Sequence, residues 1–323
     1  MKLAWLFPGQ GAQTVGMGKA LYDSSKRAKA IFDRADEALG WKLSTLCFEG
    51  PEADLMLTAN TQPAILTTSI AILEALREEY GSALPEPALV AGHSLGEYTA
   101  LVAANAISLE DAVRLVNLRG RAMQEAVPAG LGAMAAIIGG TIEQIQKICD
   151  ESRQGEALSP ANFNSPGQVV IAGHATAVER AKAIATEAEL NVIPLKVSAP
   201  FHCALMRPAA EAVKSALENI KLSTPQYPIV ANVDAKPNQE ARQIPSLLVR
   251  QVDGTVLWEQ SVKLMADWGV NKALEVGPGT VLSGLVKRTD KRITTLSVNS
   301  PTAIAKVASF LTPPVSQVAT SLA

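Results

Sequence analysis

What the chain has little of narrows it first. Aromatic residues make up 4% of its 323 residues, and histidine occurs only three times. Cysteine also occurs three times, at Cys47, Cys149 and Cys203, an odd count with no Cys-x-x-Cys spacing. Neither a disulfide framework nor a zinc or other metal site is suggested, and a reduced, cytoplasmic setting is the simplest inference. No charge of one sign dominates. Its 29 basic and 31 acidic residues leave a formal charge of -2, which argues against nucleic acid as a partner. No apolar run approaches the roughly 18 residues of a membrane span, so no membrane role is expected. The start, Met1-Lys2-Leu3-Ala4-Trp5-Leu6-Phe7-Pro8-Gly9, carries too short an apolar run for a signal peptide.

What is there is aliphatic. Hydrophobic residues reach 48%, mostly Ala, Leu and Val, enough for a real core and better suited to α/β packing than to a β-sandwich. Strand-like runs at 3–7, 88–92, 229–233, 273–276 and 293–298 alternate with helical patterns at 61–80, 97–106, 109–124 and 204–220. This rhythm predicts an α/β fold with a mostly parallel sheet covered on both faces. From about residue 128 it changes. Strands at 133–138, 158–164, 168–173 and 192–197, with helices at 141–153 and 175–189, follow the β-α-β-β-α-β order of a ferredoxin-like unit. The expected organisation is a core of residues 1–127 and 198–311, a small subdomain of 128–197, and a flexible tail of 312–323.

The chemistry points to Val90-Ala91-Gly92-His93-Ser94-Leu95-Gly96-Glu97. A buried strand ends in Gly-x-Ser-x-Gly and opens directly into a helix, the pattern of a nucleophile elbow with Ser94 exposed at its corner. The helix start offers free N–H groups and a positive dipole end to an oxyanion.

A serine hydroxyl needs a general base. Of the three histidines, His93 adjoins Ser94 on extended chain and faces away from it. His174 falls at a helix start, where capping or solvent exposure is the default. His202 lies in the non-repetitive loop Ser198-Ala199-Pro200-Phe201-His202-Cys203 after a strand, where active-site loops of α/β proteins sit. No Asp between Ser94 and His202 reads as a third triad member. The pattern therefore suggests a Ser–His dyad whose imidazole is oriented by a neutral group. Asp253-Gly254 could supply an Asp for a dyad of another type, but reads better as a turn.

Phe7-Pro8-Gly9-Gln10-Gly11 follows the first strand without the Gly-x-Gly-x-x-Gly spacing of a dinucleotide loop. It suits a second oxyanion donor instead. The helical stretch 109–124 carries Arg114, Arg119 and Arg121, one of which could clamp a carboxylate. Spacing does not choose among them.

These three motifs, with Glu275-Val276-Gly277-Pro278-Gly279, together resemble the malonyl-CoA:acyl-carrier-protein transacylase family, acyltransferases of bacterial-type fatty acid synthesis. The resemblance runs from about Lys2 to Leu311. It implies a hydrolase-like α/β core with an inserted ferredoxin-like subdomain. It also implies transfer of a malonyl group from malonyl-CoA to the phosphopantetheine thiol of an acidic acyl carrier protein, with no cofactor of the chain's own and a monomeric state. Ser94 would be the nucleophile and His202 the general acid/base. The Gln10 and Leu95 N–H groups would form the oxyanion hole, and Arg119 would pair with the malonyl carboxylate. The Gln251 carbonyl would orient His202, with Asn162 near the same site. Phe201 departs from relatives with a smaller residue there and should crowd a substituent on malonyl C2. Lys287, Arg288, Lys291 and Arg292 form a basic cluster that a carrier protein could meet, or a solvated helix end. The rival readings are a serine esterase or lipase on a related core, and a silent scaffold that only binds carrier protein.

Overall fold

The computed structural model describes residues 1–312. The expected tail therefore lies outside the described residues, apart from Thr312. Ten strands are present in that span: β1 (Leu3–Phe7), β2 (Leu89–Gly92), β3 (Gly132–Ile138), β4 (Leu158–Ser165), β5 (Gln168–His174), β6 (Asn191–Pro194), β7 (Ile229–Val230), β8 (Pro237–Asn238), β9 (Lys272–Val276) and β10 (Thr294–Val298).

The larger sheet has the order β10-β9-β1-β2-β7-β8, parallel except for the short β7–β8 pair. β1 is buried along its whole length, as a strand covered on both faces must be. Its alternation sorts the two faces. Leu3, Trp5 and Phe7 join the core containing the helices Thr58–Tyr80 and Leu109–Glu125. Ala4 and Leu6 pack with Trp258, Val262 and Leu285 of the opposite layer. Register places Phe7 opposite Gly92 and Leu6 opposite Glu275. The loops leaving β1, β2 and β9 therefore emerge side by side at the carboxyl edge, where α/β sheets bind ligands.

Glu275 is fully buried there and holds its neighbours. It accepts from the Leu282 and Ser283 N–H groups at 2.8 and 2.9 Å and from Ser297 Oγ at 2.9 Å. Two of these donors are the free amides that open the helix Val281–Thr289. The Glu-Val-Gly-Pro-Gly motif thus anchors a helix. Gly277 lets it pack, because a Cβ there would meet Pro8 and Ser69 at 2.5 Å.

The smaller sheet has the order β4-β5-β3-β6 and is antiparallel throughout. The helices Ile142–Ser152 and Ala175–Glu187 pack on it through Ile145, Ile148, Val178 and Ala181. With the order β-α-β-β-α-β this is the ferredoxin-like topology. A backbone bridge between Asn162 and Val256 joins it to the core, with Phe163 N–H donating to Val256 O and Val256 N–H to Ala161 O.

Several boundaries differ from those read in the sequence. The elbow helix spans Leu95–Ala103, starting two residues earlier than expected. β6 spans Asn191–Pro194, shorter than expected; Leu195 N–H still donates to Met134 O at 3.0 Å, and 195–197 line a cavity. β7 ends at Val230; beyond it the Asn232 backbone pairs elsewhere, its N–H donating to Glu97 Oε2 and its carbonyl accepting from Leu257 N–H. The stretch at 204–220 opens as a tight turn, Ala204–Met206, before the α-helix Arg207–Leu217 with Pro208 in its first turn. The helices Ile244–Asp253 and Trp258–Asp267 and the strand β8 have no counterpart among the expected elements.

The helices Thr58–Tyr80 and Leu109–Glu125 approach closely at Gly120, where a Cβ would lie 2.5 Å from Thr58 O and 2.8 Å from Ala59 Cα. Both atoms are backbone and cannot swing aside. Gly120→Ala is expected to lower stability by about 2 kcal/mol or more, read as a lower urea midpoint at unchanged slope. A midpoint within error of the parent would show that the helices separate without cost.

Candidate active site

Ser94 stands between β2 and its helix with φ 50° and ψ −106°, a conformation that costs a non-glycine residue on the order of 1–3 kcal/mol. The surroundings hold it there. His93 N–H donates to Phe7 O at 3.1 Å and Gly96 N–H to His93 O at 2.9 Å. Asn232 grips both sides of the corner, accepting from Ser94 N–H at 2.7 Å and donating through Nδ2 to Gly92 O at 2.8 Å. A Cβ on Gly92 would sit 2.0 Å from Gly96 C, and one on Gly96 2.0 Å from Phe7 O. The elbow's glycines thus serve close backbone approach, while the unusual dihedral falls on the serine itself.

His202, also at positive φ (59°), is buried with Nε2 2.7 Å from Ser94 Oγ and Nδ1 2.8 Å from Gln251 O. A carbonyl only accepts, so Nδ1 carries the proton and Nε2 is free to accept from the serine hydroxyl. Burial first, and the Arg119 charge second, pull the imidazole down to about 3. Asp253 is not part of this pair. It is paired with Arg207 at 3.0 Å at the end of its helix.

The other histidines have other partners, although His93 faces the cavity that Ser94 also lines. His93 Nε2 lies 2.8 Å from Asn164 Oδ1, and its ring lies 5.6 Å from that of Trp258. His174 precedes the helix Ala175–Glu187 but makes no side-chain cap. Its Nδ1 accepts from Ala157 N–H at 3.0 Å, tying the ends of β4 and β5 together, which corrects the expected capping or exposed role.

Of the three arginines, Arg114 and Arg121 are not buried, and they bond Ala38 O and Asn117. Arg119 is 1% exposed. Its guanidinium donates to Gln62 Oε1 at 2.8 Å, Gln251 Oε1 at 2.9 Å and Ser94 Oγ at 3.1 Å. All three partners are neutral, and Nε has none among the described residues. The Tyr98 ring lies 5.1 Å away. Burial lowers the guanidinium from its ordinary value, but an arginine remains charged.

Ser94, His202 and Arg119 open onto a cavity of about 290 Å³ that Gln10, Leu95, Asn162 and Phe201 also line. Among the described residues, the Gln10 and Leu95 N–H groups donate to no protein acceptor. Gln10 is held through its side chain, Nε2 donating to Thr58 Oγ1 at 3.3 Å. Asn162 and Phe201 are buried, at 7% and 8% exposure. All the expected site residues thus gather in one place: Gln251 reaches it through its carbonyl and amide, the others line its wall. Sequence reading did not assign Asn232, Gln62 or Glu97. Glu97 stood inside the elbow motif, but Asn232 and Gln62 carry no local signature. No group of three or more His, Cys, Asp or Glu that could hold a metal ion occurs among the described residues, nor does a helix long and apolar enough to cross a membrane.

Asn232→Asp would turn the donor facing Gly92 O into an acceptor, close to buried Glu97. The expected loss is about 2–4 kcal/mol of stability, seen as a lower thermal midpoint, together with slower modification of Ser94. An unchanged midpoint would mean that the elbow does not depend on this clamp.

Known proteins share this sequence and fold. Residues 4–317 match the acyl transferase domain family. The malonyl CoA-acyl carrier protein transacylase of Escherichia coli (strain K12) is 49% identical over 305 residues, 94% of this chain and 98% of its own. That of Bacillus subtilis (strain 168) is 48% identical over 94% and 95%. The crystal structure of an acyl carrier protein S-malonyltransferase from Vibrio cholerae superposes with a TM-score of 0.92 at 46% identity, covering 95% of this chain and all of that one. A malonyl-transacylase in complex with its type II PKS acyl-carrier protein gives a TM-score of 0.92 at 45% identity, over 96% and 100%. The chain belongs to the acyl transferase domain family, among the malonyl CoA-acyl carrier protein transacylases.

Proposed function

We propose that this protein moves a malonyl group from malonyl-CoA to the phosphopantetheine thiol of an acyl carrier protein, through an ester on Ser94. The observation that carries this reading is Arg119: a buried guanidinium 3.1 Å from Ser94 Oγ whose direct partners are all neutral. Such a cation is completed by an anion brought by the ligand. A neutral ester offers none, which sets the esterase reading aside.

His202 Nε2 takes the Ser94 proton as Oγ attacks the thioester carbonyl. The Gln10 and Leu95 N–H groups receive the developing oxyanion. Ser94 N–H cannot, because Asn232 already holds it. Protonated His202 returns its proton to the departing CoA sulfur. The carrier thiol then repeats the sequence on the ester, so transfer proceeds by a ping-pong scheme. A malonyl carboxylate on Arg119 offsets the second of the causes that depress His202, after burial, so the substrate itself makes its base stronger. Phe201 narrows the cavity beside the malonyl C2, favouring the unsubstituted chain.

Residues 1–127 with 198–311 act as the catalytic core, and 128–197 as the lobe that closes the cavity through Met134, Asn162 and 195–197. No cofactor beyond the two substrates is required by this chemistry, and the chain is taken to act as a monomer in the cytoplasm. For the carrier protein, Lys287, Arg288 and Lys291 offer exposed positive charge, whereas Arg292 is offset by Asp290 and Asp267. Arg288 Nη2 reaches Gln168 of the smaller sheet, so this patch borders the seam between the two sheets.

Incubation with malonyl-CoA is expected to add one malonyl unit to Ser94, stable until a thiol acceptor is supplied. Rapid loss to water would identify a hydrolase instead. Arg119→Ala should erase most of the preference for malonyl over acetyl groups, about 100-fold or more, and full retention would refute the carboxylate contact. The sign of the pH effect is also set. His202 is held low partly by Arg119, so Arg119→Ala should move the acid limb of kcat/KM to higher pH. A limb that stays or falls would contradict that coupling.

A further inference from the structure

Glu97 has no part in the transfer steps, yet it is 3% exposed in the first turn of the elbow helix. Its Oε2 accepts from Asn232 N–H at 3.0 Å and from Gln251 Nε2 at 2.8 Å. Both donors lead directly to reacting groups. Asn232 clamps the elbow. Gln251 Nε2 donates to Ser94 O at 2.9 Å, its Oε1 accepts from Arg119 at 2.9 Å, and its main-chain carbonyl receives His202 Nδ1–H at 2.8 Å.

The Gln251 amide can be inserted two ways. In the observed way its NH₂ faces two acceptors, Glu97 and Ser94 O, and its oxygen faces a cation. Turned over, it would present oxygen to both acceptors and NH₂ to Arg119, three mismatches at once. Glu97 is therefore one of the two acceptors that decide the orientation of the residue on which Arg119 and His202 both rest.

The setting makes this costly. Leu101, Ile229, Ala231, Ile244, Leu247 and Leu248 surround the same recess. Burial pushes the carboxyl up to about 7, against the Gln251 and Asn232 donors and the Arg119 charge that lower it, while Asp234 adds a further upward push. An apolar side chain would pack there without that penalty. Local rules are broken in this way where function requires it.

We propose that Glu97 is a positioning residue, acting through Gln251 and Asn232 to hold Arg119, His202 and Ser94 in register. The proposal rests on the roles given to those three residues above. It assigns the effect to the reach of a hydrogen-bond acceptor. Glu97→Gln keeps a carbonyl oxygen at full length, Glu97→Asp keeps the charge but withdraws the oxygen by one methylene, and Glu97→Leu removes the acceptor.

The test is the rate of Ser94 acylation by malonyl-CoA, divided by the number of reactive sites from burst titration, so that unfolded protein does not count. The malonyl-to-acetyl ratio is measured alongside. Glu97→Gln should remain within about threefold of the parent and Glu97→Leu should fall about 30-fold or more, with a narrowed malonyl preference and Glu97→Asp between them. A Glu97→Leu rate within about twofold per site would overturn the proposal, as would Glu97→Asp outperforming Glu97→Gln. If Glu97→Leu does not fold, the order of the other two decides. A parent protein that takes no malonyl group at Ser94 would instead bring down the underlying reading, and this proposal with it.

Discussion

The structure is organised around keeping one guanidinium charged in a dry interior without a carboxylate touching it. Between unit charges 4 Å apart, attraction grows from about 1 kcal/mol in water to about 4 kcal/mol at an effective dielectric of 20. A cation with neutral partners therefore leaves a large, unsatisfied demand for an anion. Gln62 and Gln251 meet the hydrogen-bonding need of Arg119 and leave its charge available. In the proposed reaction that demand is met by the carboxylate of the acyl chain. The same charge, after burial, also depresses the basicity of His202.

Gln251 is where these requirements meet. Its carbonyl holds the imidazole, its amide oxygen the guanidinium, and its amide nitrogen both Glu97 and the elbow backbone. It sits near the end of the helix Ile244–Asp253, packed against the core by Ile244, Leu248 and Val252. His202, Arg119 and Ser94 therefore share one support. A shift of that helix would disturb all three together, and additive behaviour among variants at these positions is not expected.

Much of this was legible in the chain, though unevenly. The elbow could be read because a buried run, two glycines and a helix start fall within eight residues. His202 was reached by elimination among three histidines. Arg119 could not be told from Arg114 and Arg121 by spacing, since its burial depends on how closely Gly120 lets a distant helix approach. The role of Gln251 uses a main-chain carbonyl, which leaves no side-chain trace, so only family resemblance reached it. Asn232 follows a strand whose apolar run suggests continuation, and both its backbone bond to Glu97 and its side-chain bond to Ser94 are long-range.

The strand order has a consequence for how the polypeptide matures. β1 lies between β2 and β9, so a strand at residues 3–7 completes its pairing only with residues near 272. The serine, the guanidinium, the imidazole and the glutamine enter the chain at positions 94, 119, 202 and 251. The four groups therefore meet only after the stretch through Gln251 has been made and folded against the same sheet edge.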